Sequence, residues 1–491
     1  MQSVNSFDIF DTLIARRCIE PKKIFAQVGQ IIAWPHFSDA RVKAEQALAA
    51  AGLAYTFDDI YERMRQDLSL DQQETEDLKT VELAVELENV IPITENIRKV
   101  RNGDLLISDM YLPASAIRLM LERAGLRAHV GLIVTNNGKH TGSIWSQIAP
   151  KVKIVKHLGD NQHSDVRSPI ANGIFAEHFS GFAPSDYEKF FIENGLVTLA
   201  QLVRELRLRH IDPGHGAAKN IHKEIQFNNN IPFLLLSAAY TNHLVRSRNL
   251  RGAAFCSRDC LYLHDIYRQL FEDDSLYLYT SRLSRIKCSP DYESYVRKKI
   301  TGDHVVVDMC GTGWSLGALY QRLGIQPTTL LLHFVSANGK AVRPYDAIRQ
   351  YTPPDKLEYI IGETEVNNAL IEMLNYTGHG MVEDVTRFSG DDNWYPVQES
   401  PDYPREVREF VEIIEEAHQN FRDTLKNHDK ARLVEEMHAC VDRIPAIMSS
   451  LYADIGKKAA HLLDIWKYHR AQDEHTTWKL NKQKAIEVAA A

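Results

Sequence analysis

Short apolar runs of strand length recur along this chain, and most stop at a polar residue that opens a turn and then a helical stretch. In the first part they lie in "SFDIFDTLIARR", "DLLISDMYLP", "AHVGLIVTNN" and "VKIVKHLGDN". In the second part they are "GAAFCS", "SLYLYTS", "HVVVDM" and "TTLLLHFV". Strands that alternate with helices predict parallel sheets covered by helices, so the chain is expected to be α/β with two alternating regions. In open parallel sheets, ligands bind beyond the carboxyl ends of the strands. The residues at those ends therefore matter most for function.

The alternation is interrupted in places. A helix-forming stretch is expected directly after Leu13. Residues 21–95 read as helical, for example in "ARVKAEQALAA" and "FDDIYERMRQDL", and predict a helical insertion over about 19–95 that sits apart from the sheet. Around 181–225 the pattern weakens, with "APSD" and "DPGHG" as turn signals, so a linker or bridging helix is expected there. "IPFLLLSAAYTNHLV" reads as a buried helix, and from about residue 404 the chain reads as all helical. The final "NKQKAIEVAAA" is expected to fray. The predicted organisation is a core domain at 1–190, a linker at 191–225, a second α/β domain at 226–400 and a helical region at 401–491.

A length of 491 residues accommodates two to four domains at about 100–200 residues each. A net charge of −8 argues against a general nucleic-acid binder, which needs a basic excess or stripe. No uninterrupted apolar stretch reaches the ~18 residues of a membrane span, and the N-terminus lacks the features of a signal peptide. Six cysteines without metal-ligand spacing suit a reducing cytoplasm. Cys256 and Cys260 read as buried or loop thiols, because no His or Cys cluster completes a zinc site near them. A protein partner bound through the helical C-terminal region is expected. Neither nucleic acid nor membrane is expected.

Four strand ends carry polar residues in a telling order: Asp8 with Asp11 and Thr12, then Ser108, then Lys139 in "GKHTGSIW", then Asp160 and Asp165 in "HLGDNQHSD". Each has an ordinary reading. A strand-end Asp caps a helix, Ser108 caps the next helix, Lys139 is solvated, and "GDNQHSD" is a polar turn. Together they suit phosphoryl transfer to a carboxylate. Asp8 can attack phosphorus, and Ser108 can hydrogen-bond a phosphate oxygen. Lys139 can neutralise the transferring group. Asp160 and Asp165 can hold magnesium, a hard cation that takes oxygen ligands.

This arrangement resembles the haloacid dehalogenase superfamily, whose four motifs are met at Asp8, Ser108, Lys139 and Asp160/Asp165 over residues 1 to about 185. The insertion falls between the first two motifs, where many members carry a helical cap. The details "FDIFDTLIARR", "ISDMYLP", "KHTGSIW" and "HLGDNQHSDV" look like a subgroup found beside or fused to bacterial glycosyltransferases of surface polysaccharides. The resemblance implies a Rossmann-like core, magnesium as cofactor and phosphatase activity. In one respect the chain departs from the family. Its phosphatases place a second Asp, the general acid and base, two residues after the nucleophile. Here that residue is Phe10, whose main-chain carbonyl could still bind magnesium, and Asp11 is one residue further on. Loss of that acid removes a factor of about 10²–10⁴. It leaves open a slow phosphatase, a substrate with a good leaving group, recruitment of Asp11 or a cap residue, or phosphate binding alone.

In the second region, "HVVVDMCGTGWSLGALYQRLG" is a strand, an acidic residue, a small-residue loop and a helix. Backbone N–H groups at such a helix start form a phosphate cradle. The segment resembles the phosphoribosyl-diphosphate loop of type I phosphoribosyltransferases, with Asp308 four residues before Thr312, then Gly313, and Ser315 ending the match. Upstream, Arg258 and Asp259 in "CSRDC" resemble that family's diphosphate loop, and "LYLYTSRLSR" its mobile loop, with Arg282 and Arg285. The resemblance spans about 226–345 and implies a phosphoribosyltransferase-like second domain. The usual acidic pair is reduced to one, since Val307 fills its first position. The alternative is a Rossmann-like partner domain whose glycines only permit close packing. Two classes of function thus stand side by side: a hydrolase of a small phosphorylated substrate, and a module that binds phosphorylated ligands.

Overall fold

A computed structural model describes residues 3–52, 54–212, 216–334, 352–362, 369–388 and 393–490, with side chains described up to residue 482. The chain divides into two units, residues 1–190 with 200–214, and residues 191–199 with 215–491.

Among its described residues the first unit runs through seven strands: β1 (Ser3–Phe7), β2 (Ile14–Arg16), β3 (Val90–Pro92), β4 (Leu105–Asp109), β5 (Gly131–Thr135), β6 (Lys153–Gly159) and β7 (Phe175–His178). Five of them form a parallel sheet in the order β5-β4-β1-β6-β7. From β1 the chain steps outward to β4 and β5, then returns to the other side of β1. The strand order therefore reverses between β1 and β6, the position where an open α/β sheet leaves a crevice beyond its strand ends.

Four helices stand between β2 and β3: α1 (Lys23–Ile31), α2 (Phe37–Ala50), α3 (Phe57–Leu68) and α4 (Gln72–Asn89). Thr56 and Asp71 open the last two with reciprocal capping boxes, closed by Asp59 and Glu74. Two expectations are corrected here. Residues 14–16 are not helical, because Ile14, Ala15 and Arg16 pair antiparallel with Pro92, Ile91 and Val90 and so tie off the two ends of the insertion. Nor do the helices sit apart from the sheet. Ile24, Val28, Phe37, Ile60 and Tyr61 share one hydrophobic cluster with Phe7, Ile9, Leu106 and Ile117. Four short helices have too little apolar surface to form an independent core, so they complete the sheet's.

Within that cluster Arg41 is fully buried. It makes a paired contact with Glu82 at 2.9 and 3.0 Å and lies over the rings of Phe25 and Tyr111. Helical periodicity cannot distinguish such an arginine from a solvated one.

The segment read as a linker is mostly helical, in Val197–His210 and Ala217–Ile225. Residues 213–215, most of the "DPGHG" turn, lie outside the described residues. In the second unit β8 (Gly252–Cys256), β9 (Asp274–Leu278), β10 (His304–Gly311), β11 (Thr328–Phe334) and β12 (Leu357–Ile361) form another parallel sheet, ordered β12-β11-β10-β8-β9. The helix Ile231–Ser247 is buried along nearly all its length. Helices Arg405–Leu425, Lys430–Ala439, Ile444–Lys457 and Leu463–Ala490 belong to this unit. The last of them continues to Ala490 through the segment expected to fray. No helix among the described residues is long and apolar enough to cross a membrane. Cys18, Cys256, Cys260, Cys288 and Cys440 are buried thiols.

Candidate functional site

Asp8 follows the last residue of β1 and donates its amide to Leu158 O of β6 at 2.8 Å, so the sheet itself fixes its backbone. Asp160 follows β6, and Asp165 lies in the helical turn Gln162–Arg167 that comes next. That turn is built locally. The Asn161 side chain accepts from the amides of His163 and Ser164, and Asp165 Oδ2 accepts from Asn161 N at 3.0 Å. Gly159 has to lack a side chain, because a Cβ there would lie 2.4 Å from Asp165 Cβ and Cγ.

Lys139 arrives on the short helix Gly138–Thr141, bracketed by Asn137 and Gly142 in left-handed conformation. Asp109, the last residue of β4, holds this helix by accepting from the amides of Lys139 and His140 at 3.0 Å. Lys139 is 2% exposed, and its ammonium bonds both Asp8 Oδ1 and Asp165 Oδ1, the latter at 2.6 Å. The carboxylates of Asp8, Asp160 and Asp165 offer oxygens that all lie within 4.8 Å of one another.

One lysine faces three carboxylates, and the acidities follow from that. Burial, then the nearby carboxylates of Asp8, Asp165 and Asp11, push Asp160 up to about 8. Burial also raises Asp8 to about 6, with Lys139 opposing and Asp165 adding to the shift. Asp165 is buried too, but the hydrogen bond from His157 and the charge of Lys139 outweigh burial and hold it at about 2. For Lys139, burial is overcome by the two carboxylates, which raise it above its ordinary value. The excess of negative charge and the all-oxygen donor set fit a hard divalent cation such as magnesium.

This arrangement has a pH signature. Asp8 and Asp160 hold their protons more tightly in the fold than in the unfolded chain. That contribution to stability is fully present below about pH 4 and is lost as pH rises through about 6 and about 8. A cation bound there would replace those protons, so it would stabilise more as pH rises. Magnesium chloride is expected to raise the melting temperature clearly at about pH 8 and little at about pH 5. A thermal-shift series checks this, and equal shifts at both pH values would contradict it.

The other predicted residues surround this centre. Ser108 lies in β4 and is buried. Thr12 is fully buried, its hydroxyl has no hydrogen-bond partner among the described residues, and its carbonyl accepts from Asn96. An orphaned buried hydroxyl costs about 1–3 kcal/mol unless something satisfies it. Phe10 is half-buried under the Arg16 guanidinium, which itself makes a paired contact with Glu86. Asp11 has a left-handed backbone, φ 57°, and burial raises its carboxyl against the opposing charges of Arg204 and Arg16. Sequence reasoning passed over Asp109 and the pair Ser6–His157, in which Ser6 Oγ meets His157 Nδ1 at 2.8 Å. The acidic residue after Ser108 was a visible signal for Asp109.

The second unit places Arg258 and Asp259 just after β8 and the Gly311–Gly313 loop at the end of β10, beside the strand-order reversal between these two strands. Here the side chains have partners within the chain. Arg285 bonds Asp308 at 3.0 Å and Ser315 at 3.2 Å, and Thr312 Oγ1 accepts from Trp314 N. Arg258 lies over the Tyr376 ring. Gly313 has φ 72°, a conformation that favours glycine. The segment read as a mobile loop, 276–285, instead runs from the end of β9 into the helix Arg282–Lys287, capped by Ser281, with Arg285 buried in it. Glu372, unnoticed in the sequence, is pushed up to about 8 by burial and by Asp259 and Asp308. The last part of the resembling region, 335–345, lies outside the described residues.

No family model matches the chain, and no curated protein matches it.

Proposed function

We propose that the first unit is a magnesium-dependent phosphohydrolase of the haloacid dehalogenase type, cytoplasmic, acting on a small phosphorylated metabolite such as a sugar phosphate or nucleotide. The observation that carries this reading is the contact of Lys139 with both Asp8 and Asp165, beside Asp160, at the strand-order reversal of a parallel sheet.

An Asp8 carboxylate oxygen attacks phosphorus, the bond to the leaving oxygen breaks, and an aspartyl phosphate forms. Water then attacks phosphorus, releasing inorganic phosphate and restoring the Asp8 carboxylate. Lys139 orients Asp8 and offsets charge on the transferring group. The hydroxyls of Thr12 and Ser108 are donors for its oxygens. Asp8, Asp160, Asp165 and the Phe10 carbonyl would hold magnesium, which would supply positive charge against the repulsion between carboxylate and phosphate.

Phe10 cannot move a proton, and Asp11 is the adjacent carboxyl, whose pKa burial raises so that it holds a proton to higher pH, as a donor needs. Asp11→Asn is expected to slow an alkyl phosphate by about 10²–10⁴ while leaving p-nitrophenyl phosphate, whose leaving group needs no proton, nearly unchanged. Equal losses on the two substrates would remove Asp11 from that role.

Phe10 is also the observation that favours a second reading, a protein that binds a phosphorylated ligand without turning it over. In the second unit, the engagement of Asp308 and Ser315 by Arg285 favours ligand binding or packing over phosphoribosyl transfer. A phosphatase panel of sugar phosphates and nucleotides, with and without magnesium, decides between these readings. Magnesium-dependent release of phosphate supports the hydrolase, and binding without release supports the second reading.

A further inference from the structure

The sheet register sets Ser6 of β1 opposite His157 of β6. Side chains alternate along a strand, so Ser6 projects on the same side of β1 as position 8. The His157 ring is 0% exposed and bridges two groups: its Nδ1 is 2.8 Å from Ser6 Oγ, and its Nε2 is 3.2 Å from Asp165 Oδ1. The edge of Trp145 packs against it, with ring centroids 4.9 Å apart.

We propose that His157, set in its Nε2–H form by Asp165 and held there by a hydrogen bond from Ser6 to Nδ1, is a positioning residue that orients the Asp165 carboxylate toward Lys139 and the cation site. A neutral imidazole has one N–H and one acceptor nitrogen. An ionised carboxylate only accepts, so Nε2 carries the hydrogen when it bonds Asp165, and Nδ1 then accepts from the Ser6 hydroxyl. The opposite tautomer breaks the bond to Asp165 and leaves a lone pair facing a carboxylate.

The consequence lies in how Asp165 uses its oxygens. Oδ1 receives Lys139 and His157, and Oδ2 receives the Asn161 amide. Each carboxylate oxygen accepts about two bonds, so the free acceptor position is on Oδ2. Without His157, Oδ1 keeps Lys139 alone. The carboxylate is then free to turn, and Lys139 is drawn away from Asp8. Outer partners of this kind typically change metal affinity by about 10–100-fold. A histidine that only fills space has no such effect.

The kinetic part of this inference rests on the hydrolase reading, and the spectroscopic part does not. The experiment uses the full chain, labelled with ¹⁵N only in histidine, and long-range ¹H–¹⁵N spectra. The His157 signals are assigned by their absence in His157→Phe. The expected result is a neutral ring protonated at Nε2, lost or mixed in Ser6→Ala. Calorimetry with magnesium chloride is expected to show weaker binding by about 10–100-fold in His157→Phe and partial recovery in His157→Gln, whose amide can donate to Asp165. On any phosphoester the wild type turns over, kcat falls with KM little changed. A ring protonated at Nδ1, or wild-type magnesium affinity in a folded His157→Phe, overturns the proposal. If His157→Phe does not fold, Ser6→Ala decides by the same two measurements. A wild type that turns over no phosphoester, yet shows the Nε2–H ring and the loss of magnesium affinity, refutes the hydrolase reading and leaves the positioning role standing.

Discussion

Asp8→Asn is expected to abolish hydrolysis, by on the order of 10⁴-fold or more, while leaving the protein as stable as the wild type or more so. An amide cannot attack phosphorus, which accounts for the activity. Stability changes in the opposite sense because Asp8 is one of three carboxylates served by one lysine. Burial raises its pKa to about 6, so near neutral pH the fold holds it ionised at a cost. Asn removes that charge, and its oxygen still accepts from Lys139. The stability gained should grow as pH rises from about 4 to about 6 and vanish well below pH 4, where the wild-type carboxyl is protonated in both states. Melting curves and activity assays on the purified variant check both halves. Wild-type activity would remove Asp8 as nucleophile, and a large loss of stability at about pH 8 would contradict the electrostatic account.

Lys139→Met has the largest expected effect on the fold. The side chains are of similar length, so the lost charge dominates. Lys139, Asp8 and Asp165 are 2%, 5% and 1% exposed, and removing one partner from a buried ion pair costs about 3–5 kcal/mol. The carboxylates left behind relieve part of this by taking up protons, so the loss should be largest at about pH 8 and smaller at about pH 5. Turnover should also fall, by about 10²–10³, because a charge aimed at the transferring group is gone. Chemical denaturation at the two pH values reads the first effect. A variant as stable as the wild type at both would mean that the ion pairs contribute nothing net.

Much of this architecture was visible in the sequence, for a definite reason. Alternating strands and helices allow few topologies, and those topologies place strand ends together. Residues as far apart in the chain as Asp8, Lys139 and Asp165 could therefore be grouped before their contacts were known. What stayed hidden depends on pairing between distant segments. The β2–β3 pair joins residues 14–16 to residues 90–92, and neither segment carries a strand signal long enough to stand out. Ser6 and His157 meet through register across 151 residues of sequence. Local periodicity says only that each belongs to a strand. The burial of Arg41 likewise follows from Glu82, Phe25 and Tyr111 converging on it. In the second unit the spacing from Asp308 to Ser315 was legible, but their capture by Arg285 was not, because that contact depends on where another helix comes to rest.

The central claim is that Asp8 carries a covalent phosphoryl group during turnover. Borohydride reduces an aspartyl phosphate to homoserine, and peptide mass spectrometry locates the change. The full chain would be quenched while turning over a phosphoester from the panel in magnesium, then reduced and digested. The account predicts homoserine at position 8, dependent on substrate and absent from Asp8→Asn. Turnover with an unmodified Asp8, modification at another carboxylate, or no turnover of any phosphoester in the panel would contradict it.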